Sequence, residues 1–148
     1  MKDYITTISG TAKLVPLVFI ALFLACGHAW SDVVQYRIST GNDDVEELIS
    51  DGDMYRDSSD LEMAHDDFVN GLQIIGLRFQ GVNIPPGATI NSAYIEFFAD
   101  GDHNKNTRLV IYGEDVGDAD AFGTADFDVS RRTNRTASVK WSPGDWSD

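Results

Sequence analysis

The sequence predicts an all-β fold, an antiparallel β-sandwich of jelly-roll type, preceded by a signal-peptide helix. Three observations carry this. Short runs rich in β-branched and aromatic residues alternate apolar and polar with period two. Clusters of Gly, Pro, Asn and Asp separate them. Beyond the first 29 residues no stretch keeps apolar residues at i, i+3, i+4 and i+7 for more than a turn. Such a pattern of strands without helices belongs to sandwiches and jelly rolls.

Residues 1–29 read as a leader. A polar segment carrying Lys2 and Lys13 precedes the apolar run from Leu14 to Ala25, and Gly27-His28-Ala29 puts small residues at the -3 and -1 positions. That is the layout of a secretory signal peptide cleaved after Ala29, with an apolar run short for a bilayer span. The rival is a lipoprotein signal ending at Cys26, against which stands Leu24, bulky where a small residue is usual. Cys26 is the single cysteine, so a disulfide framework is excluded. The remaining residues, 30–148, form one module, expected outside the cytoplasm: extracellular or periplasmic.

The first strand of that module is Val33 to Ile38, with Val34, Tyr36 and Ile38 inward. Asp44 to Ile49 reads as a short strand, with one helical turn as the alternative, Asp51-Gly52-Asp53 as a turn, Leu61 to Met63 as a short strand and His65 to Asn70 as an acidic loop. Gly71 to Ala99 is the anchor of the chain. Ile75, Leu77 and Phe79 alternate with Gly76, Arg78 and Gln80, and then Ala93, Ile95 and Phe97 alternate with Tyr94, Glu96 and Phe98. Between them Ile84-Pro85-Pro86-Gly87 reads as a type II turn, and the stretch as a hairpin. Asp100 to Asn106 is a polar loop, Thr107 to Glu114 a strand, and Asp115 to Ala125 a long Gly/Asp/Ala loop. Phe127 to Val129 and Ala137 to Trp141 read as short final strands.

The run IGLRFQGVNIPPGATINSAYIEF from Ile75 resembles secreted bacterial β-sandwich modules of the DNRLRE-like, carbohydrate-binding kind, which read roughly LRF…IP.GA.I.SA.I.F and continue into a strand like Leu109 to Glu114. The acidic segments Asn42 to Glu47 and Ser58 to Met63 are similar to the strand-flanking segments of such modules. The similarity covers Val33 to Trp146, and its motifs are structural. It implies a sandwich fold, a sugar-binding or accessory role and structural calcium near the sheet ends. Such modules usually run on past a segment like Ala137 to Trp141 into further strands, so a chain stopping at Asp148 reads as C-terminally truncated, part of a longer parent.

Charge narrows the partners. The chain carries -13; losing Lys2, Lys13 and Asp3 with the leader leaves nine basic residues against 23 acidic, or -14. An acidic surface excludes nucleic acid and, after signal cleavage, an anionic membrane as partners. It invites hard divalent cations: eleven carboxylates fall between Asp43 and Asp67 against Arg56 alone. The expected calcium ligands are Asp43, Asp44, Glu46 and Glu47, set against a solvated acidic surface. An EF-hand is excluded, because Tyr55 and Arg56 stand at the fifth and sixth positions of a loop that starts at Asp51.

The expected ligand is a polysaccharide or cell-surface glycan. If Leu77, Phe79, Ile95, Phe97, Leu109 and Ile111 fill the core, Arg78, Tyr94, Glu96, Phe98, Arg108 and Tyr112 share the opposite face, and Trp141 and Trp146 extend it. Aromatic planes stack on sugar C–H faces while Arg and Glu pair with hydroxyls. The plainer alternatives are an outer face covered by loops and a core role for Trp141. Catalytic residues are expected to be none: His65 and His103 stand alone in polar loops, and no GxSxG or HExxH occurs. Arg131, Arg132 and Arg135, the one basic cluster, are expected to pair with the acidic half of the chain rather than bind phosphate. The reading is a non-catalytic carbohydrate-binding or adhesion module; a structural spacer without a ligand is second, and a polysaccharide-active enzyme fragment third.

Overall fold

Strand β1 (Ile5–Thr11) lies between β2 (Ser31–Arg37) and β7 (Thr89–Glu96) in one sheet. A second sheet runs β4 (Met54–Tyr55), β3 (Asp44–Leu48), β6 (Gly71–Leu77), β5 (His65–Asp66), and β8 (Leu109–Glu114) pairs with β9 (Arg135–Trp141). The computed structural model describes residues 5–11, 31–102, 104 and 106–145. Over these the chain is all-β, every ladder is antiparallel, and there is no helix. The apolar run expected to form the signal helix, and the cleavage point at Ala29, lie outside the described residues, as do His103 and Trp146. Ile5–Thr11, in the polar part of the expected leader, is a strand.

Several expected strands are present. Val34 and Tyr36 are half-buried and Ile38 is buried, as their alternation requires. Pro85 to Ala88 forms the turn: the Ala88 N–H donates to Pro85 O at 3.0 Å, and Gly87 has φ +80°. Positive φ at the third position is what a type II turn demands and what glycine supplies without strain. The anchor is not a hairpin, however. β6 pairs with β3 and β5, while β7 pairs with β1, so Arg78 to Ala88 crosses from one sheet to another. Alternation fixes which side chains share a face; the partner strand is set by contacts distant in sequence.

Two short elements also differ. Leu61 to Met63 is irregular, and the small strands β4 and β5 flank it. Phe127 to Val129 opens a turn, in which the Arg131 N–H donates to Phe127 O and the Arg132 N–H to Val129 O. Phe127 has φ +64° there, a conformation foreign to a strand.

The β3–β6 pair is covered on both faces. Register puts Val45 opposite Gly76 and Glu46 opposite Ile75. Side chains alternate across a strand. Asp43, Val45 and Glu47 therefore share one face with Ile74, Gly76 and Arg78, and Asp44, Glu46 and Leu48 share the other with Gln73, Ile75 and Leu77. All five residues of β3 are buried. Phe122 lies on the Gly76 side, where a Cβ on Gly76 would stand 2.7 Å from Phe122 Cζ and 2.8 Å from Val45 Cγ2. The face of Gly76 and Arg78, expected to point outward, is therefore packed under the loop after β8. Among the described residues the buried apolar set is Ile38, Val45, Leu48 and Phe122, against six buried polar or charged groups. Packing here leans on hydrogen-bonded carboxylates as much as on apolar contact.

Candidate functional site

A carboxylate can enter a core when N–H groups occupy its oxygens, and this chain uses that repeatedly. Glu46 Oε1 accepts the Glu62 N–H at 3.0 Å. Glu47 Oε2 accepts the Val129 and Ser130 N–H groups at 2.8 and 2.9 Å, tying the loop after β8 onto β3. Asp66 Oδ1 accepts from the Phe68 and Val69 amides, and Oδ2 from Gln73 Nε2. Asp43 is engaged by three side chains. Thr40 Oγ1 donates to it at 2.6 Å, Arg78 Nη1 at 2.8 Å, and Gln80 Nε2 as well. Burial alone would push its carboxyl up; the three hydrogen bonds and the Arg78 charge outweigh that and hold it below the usual aspartate value.

Asp43 and Glu47 face one side of β3 and Asp44 and Glu46 the other, so the four expected calcium ligands do not converge on one point. No group of three or more His, Cys, Asp or Glu side chains gathers as a metal cage among the described residues. Glu47 Oε1 is enclosed there without a hydrogen-bond partner.

The same interactions shape a cleft. Arg78 Nε donates to Ala119 O at 2.7 Å, which draws the loop after β8 over the end of β6. Between them lies an open cleft of about 720 Å³, whose walls include Phe79, Gln80, Glu114, Asp118, Phe122 and Arg132. Arg132 bolts the far wall. Its guanidinium sits 4.4 Å over the Phe122 ring and donates to Glu114 Oε2 at 3.1 Å, to the Asp120 and Ala121 carbonyls and to Asp128 Oδ2. Arg132 pairs with Glu114 and Asp128, both outside the acidic Asp43–Asp67 segment. A smaller cavity of about 210 Å³ lies beside Asp43 and shares Arg78 and Gln80 with the cleft.

Of the described residues expected on a sugar-binding face, Arg78 lines this cleft and Tyr94, Glu96, Phe98, Arg108, Tyr112 and Trp141 do not. Tyr94 and Glu96 are on β7, Phe98 just beyond it, Arg108 ahead of β8, and Tyr112 on β8. Tyr94, Phe98 and Tyr112 are 52, 54 and 49 % exposed, and the Arg135 guanidinium lies 5.3 Å from the centre of the Tyr112 ring. Trp141 stacks on Phe97 with centroids 5.4 Å apart and planes 15° apart, a packing role. The cleft residues Glu114, Asp118, Phe122 and Arg132 were not expected. Phe122, a lone aromatic in a Gly/Asp/Ala-rich run, was the available cue that this loop packs down.

Comparison with protein-family models, with curated proteins and with solved structures finds no match.

Proposed function

We propose that this chain is a secreted, non-catalytic module of β-sandwich type that binds a polysaccharide or cell-surface glycan, and that the cleft beside Arg78 is where it does so. The observation that carries the reading is the mixed wall of that cleft: Phe79 offers an apolar plane, while Gln80, Glu114 and Asp118 offer amide and carboxylate groups for hydroxyls. Its volume of about 720 Å³ falls within the range of small-molecule sites, room for one or a few sugar rings. Arg78 and Arg132 are committed to Asp43, Glu114 and Asp128, so they set the shape of the walls rather than draw an anionic ligand. The chain's negative charge accords with a neutral glycan.

The test is retention on a panel of soluble and insoluble polysaccharides. One or more should retain the protein, and Asp118→Ala or Phe79→Ala should weaken binding about tenfold or more, the scale of one lost hydrogen bond or stacking plane. Retention by none of the panel, with calcium present, would end the reading. Calcium belongs to the proposal as an aid to loop order, and a thermal melt tests it. An ion that binds only the folded chain raises the midpoint, and chelator lowers it again.

A further inference from the structure

Three large apolar side chains stand in solvent at one end of the second sheet. Phe68 is 96 % exposed, Leu72 58 % and Ile49 49 %. Topology puts them together. The Ile49 N–H donates to Leu72 O at 2.9 Å, continuing the β3–β6 register, and Leu72 stands opposite His65 on β5. Residues directly opposite on neighbouring strands share a face, so Ile49, Leu72 and His65 form one row across three strands, about 10 Å long. Phe68 belongs to the turn that joins β5 to β6 at the same end. Buried Asp66 fixes that turn, taking the Phe68 and Val69 amides on Oδ1 and Gln73 Nε2 on Oδ2. A phenyl ring left in water contributes nothing to the fold by burial, so its surface is free for a partner.

Carboxylates stand at both ends of the row. Asp51 and Asp53 are exposed in the turn after β3, and exposed Asp67 lies on the β5 side, its Oδ1 3.1 Å from His65 Nδ1. Residues 49–55 and 65–72 contain no Lys or Arg. Arg56 donates to Asn42 Oδ1, at the opposite end of β3, and Arg131 lies over the Phe127 ring beside Gly52.

We propose that this rim docks a basic amphipathic helix of another protein. The apolar stripe of that helix covers Phe68, Leu72 and Ile49, and Lys or Arg on its two flanks meet Asp51, Asp53 and Asp67. An α-helix is about 10 to 12 Å across, the span of the row. Acidic groups at both ends select this occupant. A second copy would set these carboxylates against one another on chains that carry -13 each, and an anionic bilayer is repelled in the same way. A sugar finds on Ile49 and Leu72 neither a flat plane nor a partner for its hydroxyls. The rim is separate from the cleft, so the proposal stands or falls independently of glycan binding.

The probe is a synthetic helical peptide of about 18 residues, with Leu along one face and Lys on the rest, beside a version with Gln in place of Lys. Titrated into the full chain, the Lys peptide should bind saturably and slow amide exchange at residues 49–53 and 65–72 about tenfold or more. Phe68→Ser should weaken binding about tenfold or more, the scale of one anchoring ring, and the Gln peptide should bind about tenfold more weakly than the Lys peptide. Because the Phe68 ring makes almost no contact, the variant should melt as the parent does. Phe98→Ser, which removes an exposed ring elsewhere, should leave binding unchanged. No binding would overturn the proposal, as would binding indifferent to Phe68→Ser, which is general attraction of cations to an acidic chain. Equal binding of the Gln peptide would overturn it too. So would neutral phosphatidylcholine vesicles held through Phe68, or a dimer that Phe68→Ser abolishes, since the rim would then belong to lipid or to a second copy.

Discussion

Asp43 concentrates the electrostatics of this chain in one side chain. It is buried, it holds Arg78 at 2.8 Å, and its carboxyl sits below the usual aspartate value. A carboxyl lowered in the folded state stabilises that state above the unfolded value of about 3.9, and the contribution fades as pH falls through the folded value. Asp43→Asn should therefore cost about 2 to 3 kcal/mol at neutral pH, by leaving Arg78 without its counter-charge. Urea melts at neutral and acid pH should show the gap between the two proteins narrowing toward acid; a constant gap would remove the charge from the explanation. Glu47 makes a second prediction. Glu47→Ala removes the acceptor for the Val129 and Ser130 amides, worth about 3 kcal/mol for two bonds to a charged group, and should free the loop after β8. Trypsin cutting at Arg131 and Arg132 should then accelerate, which timed digestion reads directly. These carboxylates were legible in the sequence as a dense acidic cluster but not as buried acceptors. Sequence shows the charge of a side chain, while the amides that enter its shell come from residues as many as 83 positions away.

At the scale of elements, the β3–β6 pair is the fixed centre. Gly76 lets Phe122 and Val45 close over β6, and Gly76→Ala should cost about 1 to 3 kcal/mol through overpacking. Adding Phe122→Leu should return part of that loss, measurable as a non-additive thermal or urea double-mutant cycle. The strands Ser31–Arg37, Asp44–Leu48, Leu109–Glu114 and Arg135–Trp141, expected over Val33 to Ile38, Asp44 to Ile49, Thr107 to Glu114 and Ala137 to Trp141, and the turn at Pro85 to Ala88, follow from alternation and turn chemistry visible in the residues. What alternation could not supply was the pairing of β6 with β3 rather than β7. Nor could it supply the covering of the Gly76 face by a loop that begins almost forty residues later. Phe127 to Val129 failed for a related reason: a three-residue apolar-polar-apolar pattern is too short to distinguish a strand from a turn.

Among the described residues three antiparallel sheets are present, and carboxylate-pinned loops packed on the second make the cleft. A sugar-binding set chosen from alternation requires one continuous outer face; the sheets divide those residues, and among the described ones Arg78 alone reaches the cleft. On the proposed function, a glycan enters between the end of β6 and the loop after β8. The most direct measurement is amide exchange of the protein with and without an oligosaccharide cut from whichever polysaccharide retains it. Slower exchange at residues 77–82 and 117–122, abolished in Asp118→Ala, is the predicted result. Protection confined to the strands bearing Tyr94 and Tyr112, with residues 77–82 and 117–122 unaffected, would contradict it.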